Sequence, residues 1–109
     1  LADGRYVVFI GDVMGRGVAA AAAMTEMRAA TRAFASVDPE PASVVTRLDR
    51  MALSYGREQL VTMVYGVADA ATGTVTMTNA GHPPPLVLRA GGTVEALPYA
   101  DGPPVGLSD

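Results

Sequence analysis

The sequence contains no cysteine, no tryptophan and no lysine. The absence of cysteine removes disulfide frameworks, thiolate zinc sites and thiol nucleophiles together. All eight basic residues are therefore arginine, set against eleven acidic residues for a net charge of −3. A protein that grips a phosphate backbone needs a positive surplus, so nucleic acid is excluded as a partner class. Long apolar runs are also missing. The longest, Val18 to Met24, is too short and too alanine-rich to span a bilayer, and no signal-peptide pattern opens the chain. The expectation is a soluble, cytoplasmic protein with no membrane segment. What is present is enough for a core. Leu, Ile, Val and Phe number 25 of 109 residues, above the ~20% below which chains stay disordered. The length fits a single domain.

Tyr6 to Ile10 is a nearly continuous apolar run, which predicts a strand covered on both faces and ending at Gly11. A turn signature, Ala2-Asp3-Gly4, precedes it and points to an earlier strand before Leu1. A helix is expected from Val18 to Ala35. Ala20, Ala23, Met24, Met27, Ala30, Thr31 and Phe34 share one face, and Thr25, Arg28, Arg32 and Ser36 the other. Asp38-Pro39-Glu40-Pro41 breaks this helix and starts a second, with Pro41 in its first turn. Its apolar stripe is Val44, Val45, Leu48, Met51, Ala52 and Tyr55, opposite Thr46, Arg50 and Ser54. The period then changes. Leu60 to Asp69 predicts a long strand, Ala70 to Gly73 its turn, and Thr74 to Thr78 an alternating strand with Val75 and Met77 on one face. Pro85 to Arg89 and Thr93 to Leu97 predict two short strands, and the last dozen residues predict loop. The fold class is α+β: a strand, an antiparallel helix pair, then antiparallel strands.

The segment Gly11-Asp12-Val13-Met14-Gly15-Arg16-Gly17 places one carboxylate at the end of a strand and just before a helix. A hard divalent cation takes oxygen ligands, so Asp12 with a neighbouring backbone carbonyl forms a plausible half-site. The same spacing also suits a simple strand-to-helix turn capped by Asp12, or a phosphate at the helix N-terminus near Val18. It matches neither a Walker loop nor a Rossmann fingerprint.

Gly-Asp-Val-Met-Gly-Arg-Gly-Val followed by an alanine-rich helix resembles the SpoIIE-like (RsbU-type) branch of the metal-dependent PPM serine/threonine protein phosphatases. Leu60-Val61-Thr62-Met63-Val64-Tyr65 and Asn79-Ala80-Gly81-His82-Pro83-Pro84-Pro85-Leu86 resemble two further blocks of that branch, in order. The resemblance implies an αββα sandwich and a Mn²⁺- or Mg²⁺-dependent phosphatase with two ions. It also implies a phosphorylated STAS-domain anti-anti-sigma protein as substrate and partner, and a possible homodimer of the parent protein. Asp12 would bridge the ions and the Val13 carbonyl would ligate one of them. Arg16 and His82 are candidates for substrate contact.

Met14 and Arg16 stand where the branch commonly has Ser and His. Where the wider family carries a candidate general-acid His, two residues after the bridging Asp, this chain has Met14. The family's remaining acidic ligands would fall before Leu1 and after Asp109. Residues 1–109 are thus expected to be one partial catalytic domain without those flanking segments, inactive alone. A metal-free pseudophosphatase that only docks its partner is the alternative. Several residues carry plainer expectations: His82 a loop hydrogen bond, the six Met residues core positions, Arg28 and Arg32 a solvated face, and Asp69 and Asp101 turns.

Overall fold

The computed structural model describes residues 1–54, 60–97 and 103–105. Tyr55 and Asp101 lie outside these residues. The elements are β1 (Tyr6–Val13), α1 (Val18–Val37), α2 (Pro41–Ser54), β2 (Val61–Asp69), β3 (Thr74–Ala80), β4 (Leu86–Leu88) and β5 (Val94–Ala96). Strands β1, β2 and β3 form one antiparallel sheet in that spatial order, and β4 pairs with β5 in a separate ribbon.

Both helices pack on one face of the three-stranded sheet through the stripes their spacing predicts. Helix α1 buries Ala23, Met27, Thr31 and Ala35, with Ala20, Met24, Ala30 and Phe34 half-buried beside them. Helix α2 buries Pro41, Val44, Leu48 and Ala52. Met51 is half-buried rather than enclosed. Opposing them are Val13 from β1 and Val61, Met63, Tyr65 and Val67 from β2. Tyr65 is fully buried, and its hydroxyl donates to the Pro39 carbonyl at 2.7 Å. That bond ties the central strand to the break between the helices.

Among the described residues no helix covers the opposite face, and β1 is open there, which corrects the expectation for β1. Tyr6, Val8 and Ile10 alternate with the inward Val7 and Phe9, and Tyr6 and Ile10 are 66% and 63% exposed. Val75 and Met77 do share a face, and both are exposed. Met77 and Met14 are therefore surface residues, not core. The first strand also continues two residues past Gly11, so Asp12 and Val13 belong to its ladder rather than to a loop.

One core residue comes from the C-terminal stretch predicted to be loop. Val105 is 2% exposed, and its N–H donates to the Val61 carbonyl at 2.8 Å. The turn after β2 follows its sequence: the Asp69 carboxylate accepts the Ala71 N–H at 3.0 Å. Arg28 and Arg32 are exposed. Among the described residues no helix is long and apolar enough to cross a membrane.

Candidate functional site

The strand register decides what surrounds Asp12. Val13 lies opposite Val61, and both are buried beneath the helices. Side chains alternate along a strand, so Asp12 and its partner Thr62 emerge on the open face. Asp12 is exposed there, as the last residue but one of β1. It does not cap α1. The N-cap residue is Gly17, at φ 86°, and no side chain bonds to the first turn. The plain capped-turn account of Asp12 therefore fails.

The backbone beside it is also available. The Met14 N–H donates to the Leu60 carbonyl, and the Val61 carbonyl turns away from β1 to accept from Val105. Antiparallel pairs alternate between exchanging two hydrogen bonds and exchanging none. Val13, opposite Val61, thus directs its carbonyl to the outer side of β1, which is the edge of the sheet.

A third group reaches the same corner from the segment that follows β3. Thr62 Oγ1 and His82 Nδ1 are 2.9 Å apart. The His82 backbone N–H donates to Asn79 Oδ1 at 2.8 Å, closing a local turn. Gly81 between them has φ 70°, and a Cβ there would meet the Pro104 ring at 2.8 Å. Only glycine fits this position without displacing the loop. Asn79 Nδ2 is buried and has no hydrogen-bond partner among the described residues. The loop hydrogen bond expected for His82 is present, and it is a bond to the neighbour of Asp12.

The open face thus changes character along its length. Successive cross-strand rows are Tyr6–Ala68–Val75, Val8–Gly66–Met77, Ile10–Val64–Asn79 and finally Asp12–Thr62 with His82 beside it. A cavity of 390 Å³ opens along the middle rows, lined by Val8, Ile10, Val64, Met77, His82 and Pro83 to Pro85. Arg16 is exposed on the segment between β1 and α1. A second cavity of 210 Å³ lies between β1 and α1, with Arg28 beside otherwise mostly apolar walls.

As a metal site this corner is right in kind and short in number. A carboxylate and a carbonyl are the donors a hard cation takes. Among the described residues, however, no group of three or more His, Cys, Asp or Glu could hold a metal ion. These residues offer part of a coordination sphere.

The sequence profile of the Stage II sporulation protein E (SpoIIE) family matches residues 2–109. The chain belongs to the SpoIIE family. It is 31% identical over 108 residues to the phosphoserine phosphatase RsbP of Bacillus subtilis (strain 168), covering 94% of this chain and 27% of that protein. Its fold superposes with a TM-score of 0.87 on a crystal structure of RsbU and RsbW domains from Mycobacterium tuberculosis, at 32% identity. That match covers 94% of this chain and 29% of the solved one. The chain thus spans under a third of the proteins it matches. Fold and family agree with the α+β architecture and with the resemblance carried by the three sequence blocks.

Two residues of the corner escaped sequence reasoning. Thr62 lies within the second block, and alternation against Val61 and Met63 would have placed it on the open face. Asn79 lies three residues before His82, one residue beyond the usual spacing of an Asn side chain and the backbone N–H it bonds, so it carried no clear signal in the sequence.

Proposed function

We propose that this chain is the central segment of a metal-dependent protein serine/threonine phosphatase domain. The observation that carries the proposal is the exposed Asp12 carboxylate beside an outward Val13 carbonyl, in a SpoIIE-family chain similar to a phosphoserine phosphatase. Asp12 and the Val13 carbonyl are this segment's contribution to a Mn²⁺ or Mg²⁺ site; the remaining oxygen ligands come from residues outside it. Bound there, the ions would supply an acidified water and offset phosphoryl charge. Arg16 and His82 are the substrate contacts, Arg16 because a guanidinium matches a phosphate. The substrate class is a phosphorylated STAS-domain anti-anti-sigma protein in the cytoplasm, and the whole protein is a candidate homodimer.

A non-catalytic docking module is the second reading. A manganese-dependent assay separates the two. The full-length protein and its Asp12→Ala variant are compared on p-nitrophenyl phosphate and on a phosphorylated STAS protein. The phosphatase reading expects turnover that the variant loses. Partner binding without turnover in the full-length protein establishes the docking module instead.

A further inference from the structure

His82 is the only histidine of the chain, and its placement is over-determined. Asn79 Oδ1 holds its backbone N–H at 2.8 Å, Gly81 supplies a backbone turn that a Cβ would obstruct against Pro104, and Thr62 Oγ1 engages Nδ1 at 2.9 Å. Thr62 is also the cross-strand partner of Asp12, so Asp12 and His82 flank one hydroxyl from opposite sides. His82 follows the end of β3, and its imidazole meets Thr62 on β2, the strand between β1 and β3.

Phosphoryl transfer imposes a matching geometry. The attacking and leaving oxygens lie roughly in line on opposite sides of phosphorus. A seryl oxygen leaves poorly as an alkoxide, so a proton donor is wanted on the side away from the nucleophile. With Asp12 marking the nucleophile's side, the far side of Thr62 is where His82 stands.

We propose that His82 is the proton donor to the departing seryl oxygen, with Thr62 and Asn79 as its positioning residues; this rests on the phosphatase reading above. In the charged imidazole both ring nitrogens are donors, and a threonine hydroxyl can accept. Nδ1–H is held by Thr62 Oγ1, leaving Nε2–H for the substrate. Water adds to phosphorus as the bond from phosphorus to the seryl oxygen breaks. The electron pair of that bond goes to the seryl oxygen, which takes the Nε2 proton. The water's proton passes to solvent, and solvent restores the proton on Nε2.

The test varies the leaving group in the full-length protein. Phenyl phosphate releases a weakly acidic phenol and p-nitrophenyl phosphate a much more acidic one, so only the first needs strong protonation. His82→Gln is expected to lower turnover of phenyl phosphate about tenfold or more beyond its loss on p-nitrophenyl phosphate. Thr62→Val should move in the same direction, and Thr62→Ser should recover most of the wild-type ratio. A readout independent of turnover is the imidazole ¹⁵N spectrum of the metal-free protein, with His82→Gln assigning the signal. Thr62→Val should shift Nδ1, whereas Thr62→Ser should not. Equal losses on both substrates, or an Nδ1 signal indifferent to Thr62→Val, overturn the proton-donor role while leaving the phosphatase reading intact. Failure of the full-length wild type to hydrolyse either ester with manganese overturns both. Melting curves on each variant show whether a loss comes from unfolding, and a folded Thr62→Val with an unchanged leaving-group ratio counts against the proposal even if His82→Gln does not fold.

Discussion

Asp12 separates function from stability at the scale of one residue. Its side chain is exposed and caps nothing, so the fold does not depend on the carboxylate. Asp12→Ala is expected to leave the unfolding free energy within about 0.5 kcal/mol of wild type, the usual range for surface substitutions without partners. The same change should remove manganese-dependent turnover from the full-length protein. A denaturant melt beside the phosphatase assay checks both halves. A large loss of stability would mean that Asp12 supports the ladder between β1 and β2, and its role as a metal ligand would then lose its distinguishing mark. His82 has no such separation, because its loop is built into the packing around Pro104 and Val105. For that residue only a leaving-group ratio, not a simple loss of activity, discriminates between roles.

At the scale of elements, the helix pair carries the core, and two substitutions measure it. Leu48 is fully buried at the centre of α2, so Leu48→Ala should cost about 2–5 kcal/mol. A chemical melt giving less than about 0.5 kcal/mol would put another face of the helix inward. Tyr65 joins sheet and helices by one hydrogen bond to Pro39, and burial raises its phenol above the ordinary value. The unfolded chain ionises this tyrosine near pH ~10 while the folded chain still holds the proton. Its contribution is therefore complete below that pH and lost as pH rises through the folded value. Tyr65→Phe should cost about 1–2 kcal/mol at neutral pH and show a shallower alkaline fall in stability than wild type. The helices were legible in the sequence because each buries one side only, and a 3.6-residue stripe records that. Strand β1 was not, because Tyr6, Val8 and Ile10 are apolar yet exposed, which erases the alternation that marks a half-covered strand. Val105 was invisible for a different reason: one buried residue after Pro103 and Pro104 has no period to reveal it. The motif blocks located Asp12 and His82, but their shared neighbour Thr62 is twenty residues from His82, a relation that only strand pairing supplies.

At the scale of the whole molecule, both described helices cover one side of the sheet, and the candidate site lies at the polar end of the other side. Two-metal hydrolysis holds its ions about 3.5–4 Å apart with a water aimed at phosphorus. Mg²⁺ and similar ions surrender hydration water only to several fixed oxygens. The described residues bring one carboxylate and one outward carbonyl to that position, and no acidic cluster joins them. Negative charge that would concentrate a divalent cation is correspondingly sparse. The 109-residue chain by itself is therefore expected to bind manganese weakly and to show no useful turnover of aryl phosphate or of a phosphorylated STAS protein, whereas the full-length protein should turn over both. Calorimetric titration of manganese into each, run beside the assays, locates the cause. Weak binding with absent turnover in the short chain assigns the deficit to missing ligands. Tight binding with absent turnover assigns it instead to the open face of the sheet. Robust manganese-dependent turnover by the 109-residue chain would show that Asp12, the Val13 carbonyl and their immediate neighbours suffice, and the requirement for further acidic ligands would fall.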